Sequence, residues 1–532
     1  MRIRKRGSLK AKNAIIVLVG LLPLILIGVY FGMISAAAAD LTSFSYTNPV
    51  NPEKDFVPLA NMDAGALANV ADLLEWRMDV WHTPINLTVN TRFNATDGTW
   101  VGYDGTDNGA LWTGTALTAE CLRYSVLDNG TQAKANSSEL IHKLLSGLAN
   151  LLIVPNGGLG PDYPGMLARF YASPADYANF TWMFAKQYKQ FNGTGDYSQW
   201  RVRLYTSKDE IGGYLMALAA VQHYVQDDPW VQETLRLMIA QLVNGFVDTF
   251  WQEMHGDGTP DGAQLNPLFL SGSEWKLLAM KLAVNAYPDN TVYRQLYEFY
   301  AAKDLGVITA NSNNDYNTLD QYFGYNFGHD VFFGLVLAED NVALRNKYID
   351  TYEKSYYIWA NHRNAWFNSI YLAMCKMRGG PAAYNLTQIK WDVCDQLWRI
   401  YTTGWYPMDT TYGNRSRSTS RADLGGDWLT IDPNIAKWQN FFASNTFGSW
   451  FAWIPQVGFQ GILDNRYVKA ARSDMYDVES FMWSSSPFTE FGGHTGTYYG
   501  SNSVIDEASG TAFTAPYWML RAFGYINDTQ VA

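Results

Sequence analysis

The chain has 532 residues, of which 48% are hydrophobic, 15% aromatic and 17% charged, and a formal net charge of −11. This is a globular composition with enough apolar residues for one large core or several ordinary ones. Six cations, Arg2, Arg4, Lys5, Arg6, Lys10 and Lys12, precede any acidic residue, so the rest of the chain carries about −17; bulk electrostatics then argue against binding nucleic acid or an anionic membrane surface.

Those cations form a basic segment at 1–12, followed by the apolar run Ala14–Met33, which is long enough to cross a bilayer. We expect a single-pass transmembrane anchor at 13–35, with its basic flank cytoplasmic and the bulk of the chain outside the cell. The alternative is a cleaved signal peptide, because Ala37–Ala39 before Asp40 has the small-residue character of a cleavage site. The apolar run exceeds the usual signal core of roughly 7–15 residues, which favours the anchor. N-x-S/T triplets begin at Asn86, Asn94, Asn129, Asn136, Asn179, Asn192, Asn385, Asn414 and Asn527, as expected of a glycoprotein with surface loops outside the cell. Cys121, Cys375 and Cys394 fall inside expected helices and read as buried thiols, with a Cys375–Cys394 bridge as the alternative.

A polar linker at 36–60 leads into one body at 61–532. There, helices with a charged face alternate with apolar ones. Met62–Trp81 is amphipathic. The segment Asp104–Val126, DGTDNGALWTGTALTAECLRYSV, has Glu120 and Arg123 as the only charges of its helical part. Ser138–Ile153 is amphipathic, Ser173–Gln190 reads as an extra helix capped by Ser173, and Ile211–Gln226 is apolar. The alternation continues through Pro229–Glu253, Trp275–Ala286, Thr291–Asp304, Asp330–Ala338, Val342–Ala360, Ala365–Met377, Thr387–Tyr401 and Thr511–Ile526. Between the last two lies a Gly-, Ser-, Trp- and Tyr-rich insertion at about 402–509, and connections that long usually carry function. Six charged-face helices in turn with six apolar ones predict an all-α fold, an (α/α)6 toroid whose inner helices are buried on both sides. The spacings vary too much for a solenoid of fixed repeat.

With this architecture, and in DNGALWTG, TSKDEIGGYL and GTAFTAPYWMLRAFGYI, the chain resembles the six-hairpin glycosidase-like superfamily of glycoside hydrolases, some polysaccharide lyases and sugar epimerases. The resemblance implies a glycan pocket at the ring's centre, lined by the loops that precede the inner helices. It does not by itself imply catalysis.

Those entrances hold Tyr103, Asp104, Asp107, Asn108 and Trp112; Ser207, Asp209 and Glu210; Asn266, Ser271 and Glu274; Tyr325, Asn326, His329 and Asp330; His362, Arg363 and Asn364; and Asp506, Glu507 and Ser509. Glycoside hydrolysis needs two carboxyl groups, roughly 5 Å apart for retention or 6.5–9.5 Å for inversion. Asp107 and Asp209 are the expected pair, with Glu507 as a third acid able to swing over the opening. Against this, Asp107–Asn108 suits a helix N-cap, and Ser207-x-x-Glu210 and Ser271-x-x-Glu274 match the capping box. His329–Asp330 and His362–Arg363 suit sugar hydroxyls or a uronate, as a lyase or epimerase would need; a non-catalytic glycan-binding or cell-envelope protein is the third reading. Trp405, Trp428 and Trp483 are candidate stacking residues, and Arg415, Arg417 and Arg421 lie near them. No cofactor is expected. His255–Gly262 resembles part of a calcium loop through Asp257 and Asp261 but lacks the closing glutamate, and H-E-x-x-H, P-loop and G-x-G-x-x-G patterns are missing.

Overall fold

A computed structural model describes residues 57–94, 97–104, 108–185, 190–254, 258–265, 272–311, 322–356, 364–403 and 504–531, with Gly28 alone ahead of them. The protein is mostly helical. In chain order the long helices are α1 Ala64–Arg77, α2 Gly109–Val126, α3 Gln132–Asn156, α4 Lys208–Tyr224, α5 Pro229–Asp248, α6 Ser273–Ala286, α7 Thr291–Asn311, α8 Tyr322–Ala338, α9 Val342–Tyr356, α10 Ala365–Arg378, α11 Leu386–Thr403 and α12 Thr511–Ala522. Their ends follow local chemistry. Asp63, Asp228 and Asn364 each accept two backbone N–H groups at the starts of α1, α5 and α10. α3 ends on Gly157, which takes the left-handed conformation at φ 86°.

Burial divides the helices as the charge pattern predicts. Unbroken buried runs cover Gly109–Tyr124 in α2, Asp209–Val221 in α4, Glu274–Ala283 in α6, Ala365–Cys375 in α10 and Thr511–Leu520 in α12. In α8, residues 328–338 are buried throughout. The intervening helices show one face to solvent. α2 packs on α4, α4 on α8 with α6 against both, α8 on α10, α10 on α12, and α12 on α2. α1 lies against α11 and α12. One contiguous hydrophobic core runs from Met62 to Val531.

Several expected elements change. Over 173–180 the helix expected at Ser173–Gln190 does not form: the strand Phe170–Ala172 leads into a turn in which Ser173 Oγ bonds both the carboxylate and the N–H of Asp176. A 3-10 turn at Tyr177–Asn179 and one helical turn at Thr181–Ala185 follow. Ser-Pro initiates turns as readily as helices, and here the turn prevails. α3 begins at Gln132, capped by Thr131, rather than at Ser138. α8 begins at Tyr322, which places Asp330 inside the helix rather than at its start.

Small antiparallel sheets, which helical periodicity does not reveal, sit at the helix ends. β1 Asn90–Asn94 pairs with β2 Trp100–Asp104 and with β8 Val504–Glu507. β3 Phe170–Ala172 and β4 Gln190–Asn192 flank β5 Arg201–Arg203, and β6 Gln252–Met254 pairs with β7 Pro260–Gln264. β8 turns the last residues of the expected loop-rich insertion into ordered strand; 404–503 lie outside the described residues, as does the anchor at 13–35 apart from Gly28. Among the described residues no helix is long and apolar enough to cross a membrane. Cys121, Cys375 and Cys394 are all buried and free, so no Cys375–Cys394 bridge forms.

Candidate functional site

The N-terminal ends of α2 and α4 meet face to face. Asn108 is the N-cap residue of α2, yet its side chain caps nothing; its Nδ2 donates instead to Asp209 Oδ2 at 3.0 Å. The first N–H groups of α2 are taken by another helix. Glu210 Oε2 accepts from Ala110 N at 2.7 Å and Leu111 N at 3.1 Å. This corrects the capping-box expectation: Ser207 makes no side-chain cap to α4, and Glu210 caps its neighbour. At α6 the N-cap position is Gly272, with no side-chain cap; Ser271 lies outside the described residues.

Adjacent positions on a helix point about 100° apart, which gives Asp209 and Glu210 different surroundings. Glu210 is fully enclosed, whereas Asp209 keeps 9% of its surface. Arg169, the residue before β3, closes the cluster from the side: its Nη2 donates to Ser207 Oγ, and its Nε lies 3.3 Å from Glu210 Oε1. Arg169 and the cross-helix role of Glu210 were not legible in the sequence, because both depend on contacts about a hundred residues or fewer apart that no local motif encodes.

Other helix ends adjoin this one. Trp275 Nε1 in the first turn of α6 donates to Lys208 O at 2.8 Å. A Cβ built on Gly212 of α4 would stand 3.2 Å from Val331 Cγ2 of α8, so α4 and α8 touch two residues beyond Glu210. Asp330 Oδ1 accepts from Trp366 Nε1 of α10 at 2.8 Å. His329 stacks on Phe367, ring centroids 3.9 Å apart, and its Nδ1 meets Tyr352 Oη at 2.6 Å. His329 and Asp330 are therefore buried packing partners and not the open sugar-binding pair expected. Trp112 is likewise a core residue.

Glu507 also departs from expectation. It does not swing over an opening: it closes β8, buried, with its carboxylate held by Arg77 Nε at 2.7 Å, by Arg77 Nη2 and by His82 Nε2 at 3.0 Å. Tyr103 stacks on Phe180 at 5.3 Å between ring centroids, and Asp104 pairs with Arg92 at 2.9 Å across β1 and β2. Asp107, Asp257, His362, Arg363 and Trp428 lie outside the described residues; Asn326 and Asp261 fall in α8 and β7 without a described side chain. Among the described residues no cluster of three or more His, Cys, Asp or Glu side chains could hold a metal ion.

Burial pushes the Glu210 carboxyl up from its ordinary 4.5 to about 8, with Asp209 adding to the rise and Arg169 opposing it. Burial also raises Asp330 from 3.8 to about 7, against the Trp366 hydrogen bond. A carboxyl whose folded pKa exceeds its unfolded value holds its proton longer in the native state, so its contribution is complete below the unfolded pKa and lost as pH rises through the folded one. We expect the unfolding free energy measured by urea titration to fall between pH 5 and pH 8. In Glu210→Gln that fall shrinks by on the order of 2–4 kcal/mol; an unchanged slope would remove Glu210 as its source.

Compared with protein-family models, curated proteins and solved structures, the chain finds no match.

Proposed function

We propose that this protein is an exported, membrane-anchored glycoside hydrolase built on an (α/α)6 toroid, working where the inner helices begin. The observation that carries the reading is the Asn108–Asp209–Glu210 cluster, in which one carboxylate is held by an amide at the edge of a buried polar wall while its neighbour braces the helix opposite. The second carboxyl group of the pair is assigned to Asp107, the residue before Asn108 in the chain, which lies outside the described residues. Asp209 then moves a proton to the leaving oxygen or from water, with Asn108 fixing its rotamer. Contacts from α2 through α4, α8, α10 and α12 back to α2 support closure of a ring by five of the six buried helices; the sixth, α6, packs against α4 and α8, which also touch each other directly. Export is supported by the basic N-terminal segment and by the exposure of Asn129, Asn136, Asn179, Asn192, Asn385 and Asn527, all sequon residues.

The second reading, a non-catalytic glycan-binding protein, is favoured by the tying up of Glu507, the expected third acid, by Arg77 and His82. Reducing-end release from a panel of neutral and acidic oligosaccharides decides between them. The hydrolase reading expects turnover that drops at least about 100-fold in Asp209→Asn while glycan binding persists. Turnover indifferent to that substitution sinks the assignment of Asp209. Binding without turnover in the parent protein leaves the second reading standing.

A further inference from the structure

A cleft of about 1360 Å³ opens between the C-terminal ends of α4, α6 and α8 and the N-terminal ends of α5, α7 and α9. His223 on its wall is 14 residues along α4 from Asp209, about 20 Å at 1.5 Å per residue, so the cleft is separate from the proposed catalytic end. Of its four Lys and Arg residues, Lys281 and Arg236 are paired with carboxylates, and the exposed Arg294 donates to Pro288 O. Lys281 Nζ lies 2.7 Å from Asp340 and 3.5 Å from Glu339, and Arg236 forks onto Glu233 at 2.8 Å. Arg345, in the first turn of α9, differs. It is half-buried, and no carboxylate pairs with its guanidinium among the described residues. His223 shares the cleft with it, and the two repel: burial and then the Arg345 charge hold the imidazole below its ordinary value.

A guanidinium partly removed from water without a counter-charge is costly unless something anionic meets it. We propose that this cleft binds a small carboxylate-bearing ligand whose anionic group seats against Arg345 beside His223. The planar fork of arginine matches a carboxylate with two parallel hydrogen bonds. Glu298, Glu339 and Asp340 line the same cleft and oppose a second negative charge, which favours a monoanion over a phosphate. The amide oxygens of Gln226 and Gln232 and the amide nitrogen of Asn341, whose other halves bond to backbone, suit the hydroxyl groups of a sugar acid.

The test uses the intact chain with D-glucuronate, D-glucose and inorganic phosphate as probes. Glucuronate should protect Arg345 from phenylglyoxal in the parent protein, glucose should not, and phosphate should protect less. Arg345→Gln should weaken glucuronate binding, measured by calorimetry, at least about tenfold, whereas Asp209→Asn should leave it unchanged. Protection readout needs no variant, so a poorly folding Arg345→Gln does not stall the test. The proposal fails if glucuronate gives no protection, if glucose or phosphate protects as well, if Arg345→Gln binds as before, or if Asp209→Asn abolishes binding.

Discussion

Glu507→Ala should cost the protein about 3–5 kcal/mol, the usual result of removing one partner from a buried ion pair. The loss arises from what remains. Arg77 keeps its charge in a buried site beside Phe93, whose ring lies 5.2 Å from the guanidinium carbon, and no carboxylate compensates it. His82, whose Nδ1 meets Val89 O at 2.8 Å, loses the partner of its other nitrogen. The residue is also a splice point. Glu507 pairs with Thr91 in the β8–β1 register, so it fastens the chain returning from beyond residue 403 to the end of α1, just ahead of α12. A drop in the urea midpoint with an unaltered transition slope checks the prediction. Arg77→Met combined with Glu507→Leu should recover most of the loss, because an apolar pair of similar volume leaves no stranded charge. A single variant that costs under about 1 kcal/mol would show that the pair is not what holds β8.

The contrast between Glu507 and the inner helices shows what the sequence could convey. α2 and α4 were legible because a run such as GALWTGTALTAECL has no polar face to give to water, so it must be surrounded, and the structure buries it from Gly109 to Tyr124. The strands were not legible. β3, β4 and β5 are three residues each, shorter than any alternating pattern can show, and β8 finds its partner more than 400 residues earlier. The same distinction applies to the candidate site. That polar residues gather where buried helices begin follows from unpaired N–H groups, which any sequence must satisfy. Which carboxylate satisfies which helix does not follow, since Ser207-x-x-Glu210 reads as a self-contained cap until α2 is brought within 2.7 Å of Glu210. Asp330 was misplaced for a related reason: Tyr322–His329 is rich in Tyr, Phe and Gly and reads as a loop, yet it forms the first two turns of α8.

Gly114→Ala should destabilise the protein by about 3 kcal/mol or more, at the upper end of overpacking effects. A Cβ on Gly114 would sit 2.2 Å from Gly213 O and 2.6 Å from Gly213 C, and one on Gly213 would sit 2.7 Å from Leu111 Cα. Backbone stands on both sides, so no rotamer can relieve the overlap and α2 must move away from α4. That displacement acts on the candidate site as well, because Asn108 and Asp209 bond across the same interface within two turns of the contact. On the hydrolase reading, stability and turnover should therefore fall together, as they need not for a substitution in the half-exposed helices. Helix propensity pushes the opposite way, since Ala is better than Gly in a helix interior by about 1 kcal/mol. The sign of the change thus separates the two effects: if Gly114→Ala raises the urea midpoint, the helices are not in contact at this glycine. Gly380→Ala is the matched control. Its nearest neighbour would be Arg378 Cγ at 3.8 Å, so its midpoint should stay within about 0.5 kcal/mol of the parent.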